Sequence, residues 1–209
     1  MKKYDKIMIA SGDIISCFLA AKSIGWDGMS EISLNRIIYF AAVLFKFRFS
    51  EQKNIFEDDY EFSITLRGPE AAIIKHAITH LQTNFIISCK GTEYFLDVED
   101  ETFTKNLPYY EEKKNWIEDI VYLMGVYGEE KLYDFIFRDP EYKANLKSKS
   151  SKPLDLSEAN YTIKYLKMFK TDFENSVSQQ SPKLDNKQYL ELYFEYVFGK
   201  ILKGESVDG

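Results

Sequence analysis

Apolar positions recur every three or four residues over most of this chain, and that period predicts a largely helical molecule. From Asp5 to Ile24 the residues Ile7, Met8, Ile9, Ile14, Ile15, Phe18, Leu19 and Ala20 follow helical spacing, and Gly25-Trp26-Asp27-Gly28 ends the run with turn chemistry. A second helix is predicted from Leu34 to about Phe47, N-capped by Ser33, with Leu34, Ile37, Ile38, Ala41, Leu44 and Phe45 in one stripe. The period changes at Tyr60 to Leu66, which alternates like a strand. Arg67-Gly68-Pro69 stops it, and Pro69 takes the first-turn position of a third helix running to about Leu81. Two β-rich runs around Lys90-Gly91 then predict a hairpin.

Further helices are predicted at Tyr109 to Val126 and at Glu129 to Phe137, the second ending before Asp139-Pro140. Residues 143 to 153, KANLKSKSSKP, are polar and read as an exposed loop. Two amphipathic helices follow, Leu156 to Phe173, capped by Asp155 or Ser157, and Leu184 to Leu202, preceded by Ser181-Pro182. The expected fold is mainly α with a small β-hairpin: a winged helix-turn-helix core over residues 1–106, then a C-terminal helical bundle over 107–209 packed on it.

Composition narrows the function. The chain of 209 residues carries net charge −6 with pI near 5.1, which opposes diffuse attraction to nucleic acid or anionic lipid. Its 15 Tyr and 16 Phe exceed what a core of this size needs, so part of that aromatic surface is expected to meet a partner. The partner face is expected on the last helix, at Tyr189, Tyr193, Phe194 and Tyr196. No run approaches the roughly 18 apolar residues of a membrane span, and the start MKKYDKIMIASGD lacks a signal-like apolar core, so a cytoplasmic protein is expected. Cys17 and Cys89, far apart in apolar runs, are expected to be buried, reduced thiols.

The chemistry-bearing residues are few. His76 and His80 share a helix face at metal-like spacing, but no HExxH glutamate or third ligand accompanies them. Glu57-Asp58-Asp59 and Glu99-Asp100-Glu101 lack EF-hand spacing and read as solvated loops. Walker and dinucleotide-binding glycine motifs are absent from the sequence. No catalytic residue, metal, cofactor or small-molecule substrate is therefore expected. Lys143, Lys147, Lys149 and Lys152 admit two readings, a DNA-touching patch or a solvated loop. Arg67 also admits two: a bidentate contact to a partner's carboxylate or phosphate, or a contact to a carboxylate of this chain such as Glu61.

Three local matches carry a resemblance: Leu34-xx-Ile37-Ile38-Tyr39-Phe40, the Gly68-Pro69 elbow, and Val126-Tyr127-Gly128-xxx-Leu132-xxx-Ile136 followed by Pro140-x-Tyr142. In these the chain resembles the small middle-component subunits of bacterial ABC-three-component defence systems, Lamassu among them, and more distantly the Panacea antitoxin domain. The likeness spans residues 5 to 150. Arg67 stands where the Panacea elbow has an aromatic residue. The resemblance implies a non-enzymatic winged-helix adaptor in an anti-phage or anti-plasmid complex, joining an SMC-like ABC ATPase to a nuclease-type effector subunit, with DNA reached through the complex. The alternative it implies is a Panacea-like antitoxin or a winged-helix DNA-binding regulator.

Overall fold

The structure, a computed structural model, describes residues 3–98, 104–148, 152–176 and 184–203. It is mainly helical, with a small antiparallel sheet. The helix α1 (Lys3–Ser23) leads through the short strand β1 (Met29–Ser30) into α2 (Glu31–Arg48). From Ser33 to Phe45 every residue of α2 is buried, so this helix is enclosed on all sides and forms the axis of the molecule. Its cap is Ser30, not Ser33: the Ser30 hydroxyl accepts the Ser33 N–H at 3.1 Å. The Ser33 hydroxyl is instead directed to Glu129 of a later helix.

The next segment departs most from the sequence expectation. Strands β2 (Ser63–Thr65) and β3 (Gly68–Glu70) pair antiparallel, with Thr65 opposite Gly68 and Ile64 opposite Pro69. Pro69 thus belongs to a strand, and helix α3 (Ala72–Thr83) starts beyond it. The closing pair of a two-residue hairpin exchanges hydrogen bonds and the next pair does not, so a proline opposite Ile64 leaves no ladder bond unmade. Strands β4 (Ile87–Lys90) and β5 (Glu93–Leu96) form the hairpin expected around Lys90-Gly91, and β1 adds to β5 to give the sheet order β1-β5-β4. Cys17 is buried, but Cys89 is exposed, because the hairpin runs past the edge of the core after Ile87.

The remaining helices are α4 (Tyr110–Gly125), α5 (Glu129–Ile136), α6 (Pro140–Ser148), α7 (Tyr161–Ser176) and α8 (Asn186–Lys203). Helix α6 occupies much of the stretch expected to be a loop. Asp139 accepts the Tyr142 N–H at 2.9 Å as its cap, and Pro140 opens its first turn. Helix α7 starts at Tyr161, not at Leu156, because Asn160 supplies the cap by accepting the Ile163 N–H at 2.8 Å. Asp155 and Ser157 close the turns before it, accepting from Ser157 N and Ala159 N. Helix α8 begins with a reciprocal cap in which Asp185 accepts from Gln188 N and donates its own N–H to the Gln188 side chain, both at 2.9 Å. Ser181 and Pro182 lie outside the described residues.

One hydrophobic core runs through all of this. Helix α4 packs on α1 and α2, and α5, α7 and α8 pack on α2. Trp116 of α4 is buried and donates its indole N–H to the Ala41 carbonyl at 2.7 Å. No helix among the described residues is long and apolar enough to cross a membrane.

Candidate functional site

The two-residue turn of the β2–β3 hairpin projects Leu66 and Arg67 from the body. Leu66 is 86% exposed. The tip is nevertheless rigidly built. The Thr65 hydroxyl donates to the Gly68 carbonyl at 2.9 Å and accepts the Arg67 N–H at 3.2 Å. Gly68 holds φ at 127°, a region closed to side chains, and a Cβ there would lie 3.4 Å from Nε of Arg36.

Two anchors fix the hairpin to the helices. Tyr142 of α6, fully buried, donates its hydroxyl to the Thr65 carbonyl. Arg36 of α2, buried, donates from Nη2 to the Arg67 carbonyl at 2.7 Å, and its guanidinium lies 5.1 Å from the centre of the Tyr133 ring of α5. Its Nε is buried without a hydrogen-bond partner. Burial pulls the Arg36 guanidinium below its ordinary pKa, against the opposing pull of Tyr133 and Glu129. Glu129 is itself held by the hydroxyls of Ser30 and Ser33. Arg67 pairs with Glu70 at 3.0 Å, not with Glu61, and both remain in contact with solvent.

Behind the hairpin lies a buried polar network that sets the α5–α6 junction. Asp139 accepts from the Tyr39 hydroxyl at 2.8 Å and the Thr162 hydroxyl at 2.6 Å, besides Tyr142 N. Burial pushes its carboxyl up to about 6, while those hydrogen bonds oppose the rise. Glu141, also buried, accepts from Asp155 N, Tyr161 N and the Asn145 amide. The corner therefore presents an exposed cation, paired to Glu70, and an apolar tip on a fixed base.

A second buried polar cluster joins α1 to α4. Lys113, 1% exposed, lies 3.1 Å from Asp13 and 2.7 Å from Asp59, and Asp13 also accepts the Tyr60 hydroxyl at 2.7 Å. Burial raises the Asp13 carboxyl above its ordinary value, with Lys113 opposing. The sequence does carry a signal for this cluster, although it was not among the expected sites. Lys113 falls in the stripe of Tyr110, Ile117 and Ile120, and Asp13 in that of Ile9 and Cys17, so each charge occupies a core position of its helix.

The expected partner face on α8 resolves differently. Tyr189, Tyr193 and Phe194 are buried, and their rings pack within the chain, Phe194 stacked on Phe135 at 4.8 Å and Tyr189 edge-to-face with Phe173 at 5.9 Å. A wide apolar face on α8 is wide because α5 and α7 both cover it. Tyr196, at 38%, is the member of the set that reaches the surface. Lys143 and Lys147 belong to α6, Lys152 precedes α7, and Lys149 lies outside the described residues. His80 is half-buried with Nδ1 3.2 Å from the Ser11 hydroxyl, and His76 faces solvent. Asp59 of the first acidic run is committed to Lys113 and Asp58 to Lys53, and the run 99–101 lies outside the described residues. Among the described residues no group of three or more His, Cys, Asp or Glu is placed to hold a metal ion. No family model, curated protein or solved structure matches the chain.

Proposed function

We propose that this chain is a non-enzymatic adaptor, a winged-helix scaffold whose β2–β3 corner docks a partner protein through Leu66 and Arg67. The observation that carries the reading is Leu66, 86% exposed at the end of a hairpin that Arg36, Tyr142 and Gly68 hold rigid. An exposed leucine on a fixed turn loses little freedom on binding, which favours its use as an anchor. Arg67 exchanges its solvent-exposed pair with Glu70 for a partner's carboxylate at small cost, because such pairs contribute little in water.

The order α1-β1-α2-β2-β3-α3-β4-β5, with β1 paired to β5 and a two-stranded hairpin inserted between α2 and α3, supports the winged-helix assignment. Its third helix exposes Lys75, His76, Thr79 and Thr83, with Lys75 the sole lysine, which disfavours a DNA-reading regulator. The resemblance to three-component defence subunits supplies the partners: an SMC-like ATPase and an effector subunit.

Co-expression with the products of the neighbouring genes tests this. The chain is expected to co-purify with an ATPase and an effector, and Leu66→Glu with Arg67→Glu to abolish that association while leaving the melting temperature unchanged. A chain that stays free of both, or a double variant that still assembles, overturns the proposal.

A further inference from the structure

We infer that Arg36 is the base of an anion site at the β2–β3 corner, and that the group it takes is a carboxylate side chain of the docked partner protein. The inference rests on the corner being a docking site and names the chemistry of what docks there. Arg36 is 7% exposed, and among the described residues its guanidinium makes a single hydrogen bond, from Nη2 to the Arg67 carbonyl, and no ion pair. Its Nε is buried with no acceptor to donate to. A charge taken out of water ordinarily meets a counter-ion, because a carbonyl and an aromatic face offset the lost hydration only in part.

The acids around Arg36 are engaged elsewhere. Glu129, which acts on the guanidinium from a distance, takes the hydroxyls of Ser30 and Ser33. Glu70 is shared by Arg67 and the Thr65 hydroxyl, and Asp134 lies 3.7 Å from Lys131. The surface of the corner is thus mixed in charge and matched within itself, while the unmatched charge is the cation beneath it. Lys113, equally buried, differs in having both Asp13 and Asp59 against it.

The hairpin and α5 set the way in. Gly68 brings no side chain to the Nε edge, where a Cβ would lie 3.4 Å away. Tyr133 of α5 has its ring centre 5.1 Å from the guanidinium and is itself 48% exposed, so it is the side chain that swings aside to admit a ligand. Most of the guanidinium N–H groups are unused, and a planar carboxylate accepts a pair of them side by side. A net charge of −6 opposes a polyanion such as nucleic acid but tolerates one acidic side chain. A partner that covers Leu66 brings that side chain within reach of Arg36, because Arg36 already holds the Arg67 carbonyl next to it.

The test is nuclear magnetic resonance of the full chain carrying isotope-labelled arginine. Arg36, Arg48, Arg67 and Arg138 are its arginines, so the Nε–H signals are few, and that of Arg36 is assigned by its closeness to Gly68 and the Tyr133 ring. The probe is N-acetylglutamate amide, with N-acetylglutamine amide as the uncharged control and inorganic phosphate as the competing anion. The Arg36 signal is expected to move saturably with the glutamate probe, not with the glutamine one, and less with phosphate. Arg36→Lys keeps a cation but lacks Nε and the planar fork, and is expected to weaken association with the co-expressed partner about tenfold or more. The titration needs no variant, so it decides even where Arg36→Lys disturbs the hairpin. An unmoved Arg36 signal, an equal response to the glutamine probe, a stronger response to phosphate, or unchanged association in Arg36→Lys overturns the inference. Movement of the Arg67 signal alone overturns it too, yet leaves the corner standing as a docking site. Assembly of the Leu66→Glu, Arg67→Glu double variant overturns the docking reading itself, whatever the titration shows.

Discussion

Lys113 shows how one side chain can hold two helices together and still be costly. An ammonium with almost no solvent contact, set between Asp13 and Asp59, is tolerable because each charge has a partner and Tyr60 adds a hydrogen bond. Lys113→Met keeps the bulk and removes the charge, leaving the buried Asp13 and the half-buried Asp59 without their shared cation. It is expected to lower stability by about 3–5 kcal/mol in urea unfolding, and adding Asp13→Asn is expected to recover part of that loss. Asp139 gives a pH signature of the opposite kind from a surface carboxylate. Its pKa rises from 3.8 to about 6 on folding, so the folded state holds the proton more tightly. The stabilisation is fully present below 3.8 and is lost as pH rises through about 6, by about 3 kcal/mol over the window. Asp139→Asn is expected to remove that slope between pH 4 and 6, and unfolding free energies across the range, wild type minus variant, measure it.

At the scale of elements, the β2–β3 hairpin is where local sequence signals and the observed structure part most. Arg67-Gly68-Pro69-Glu70 suits the start of a helix by local rules, since proline favours the first turn and glutamate the positive helix end. What decided for a strand is outside the segment: Arg36 and Tyr142 take the carbonyls of Arg67 and Thr65, and Asn35 accepts the Ala71 N–H at 2.8 Å. Gly68→Ala is expected to cost about 1–3 kcal/mol, from the closed φ region and the approach to Arg36, as read by thermal unfolding. A loss well below that range contradicts the hairpin geometry. Helix α6 is concealed in the sequence for a different reason. Asp139-Pro140 reads as a stop after α5, yet a capping residue followed by proline is equally a start signal, and the polar composition of 143–148 conceals it.

For the whole molecule, the consequence of α2 at the centre is that the chain's first and second halves complete one core. The faces of α1 and α2 that α4 covers, Trp116 to Ala41 among them, would be open to water in a chain ending near residue 106. A fragment of residues 1–106 is therefore expected to lack a cooperative thermal transition, whereas the full chain is expected to unfold with coincident far-UV dichroism and tryptophan fluorescence. A fragment with a sharp transition of its own would show that the first part is self-sufficient.

The periodicity of apolar residues determined the helical character of the chain, the positions of most helices, and the hairpin at Lys90-Gly91, because those depend on spacing within a segment. For α2 it gave a single apolar stripe, and the burial of the whole span from Ser33 to Phe45 came with the packing around it. Only the tertiary structure decided which aromatic residues are spent inside: Tyr189, Tyr193 and Phe194 became core because α5 and α7 cover their face, and Tyr196 was left at the rim. It likewise decided that Arg67 pairs with Glu70, that Lys113 meets Asp13 across 100 positions, and that Leu66 stands in solvent. Burial and pairing are set by segments distant in sequence, and no local pattern records which distant segment arrives.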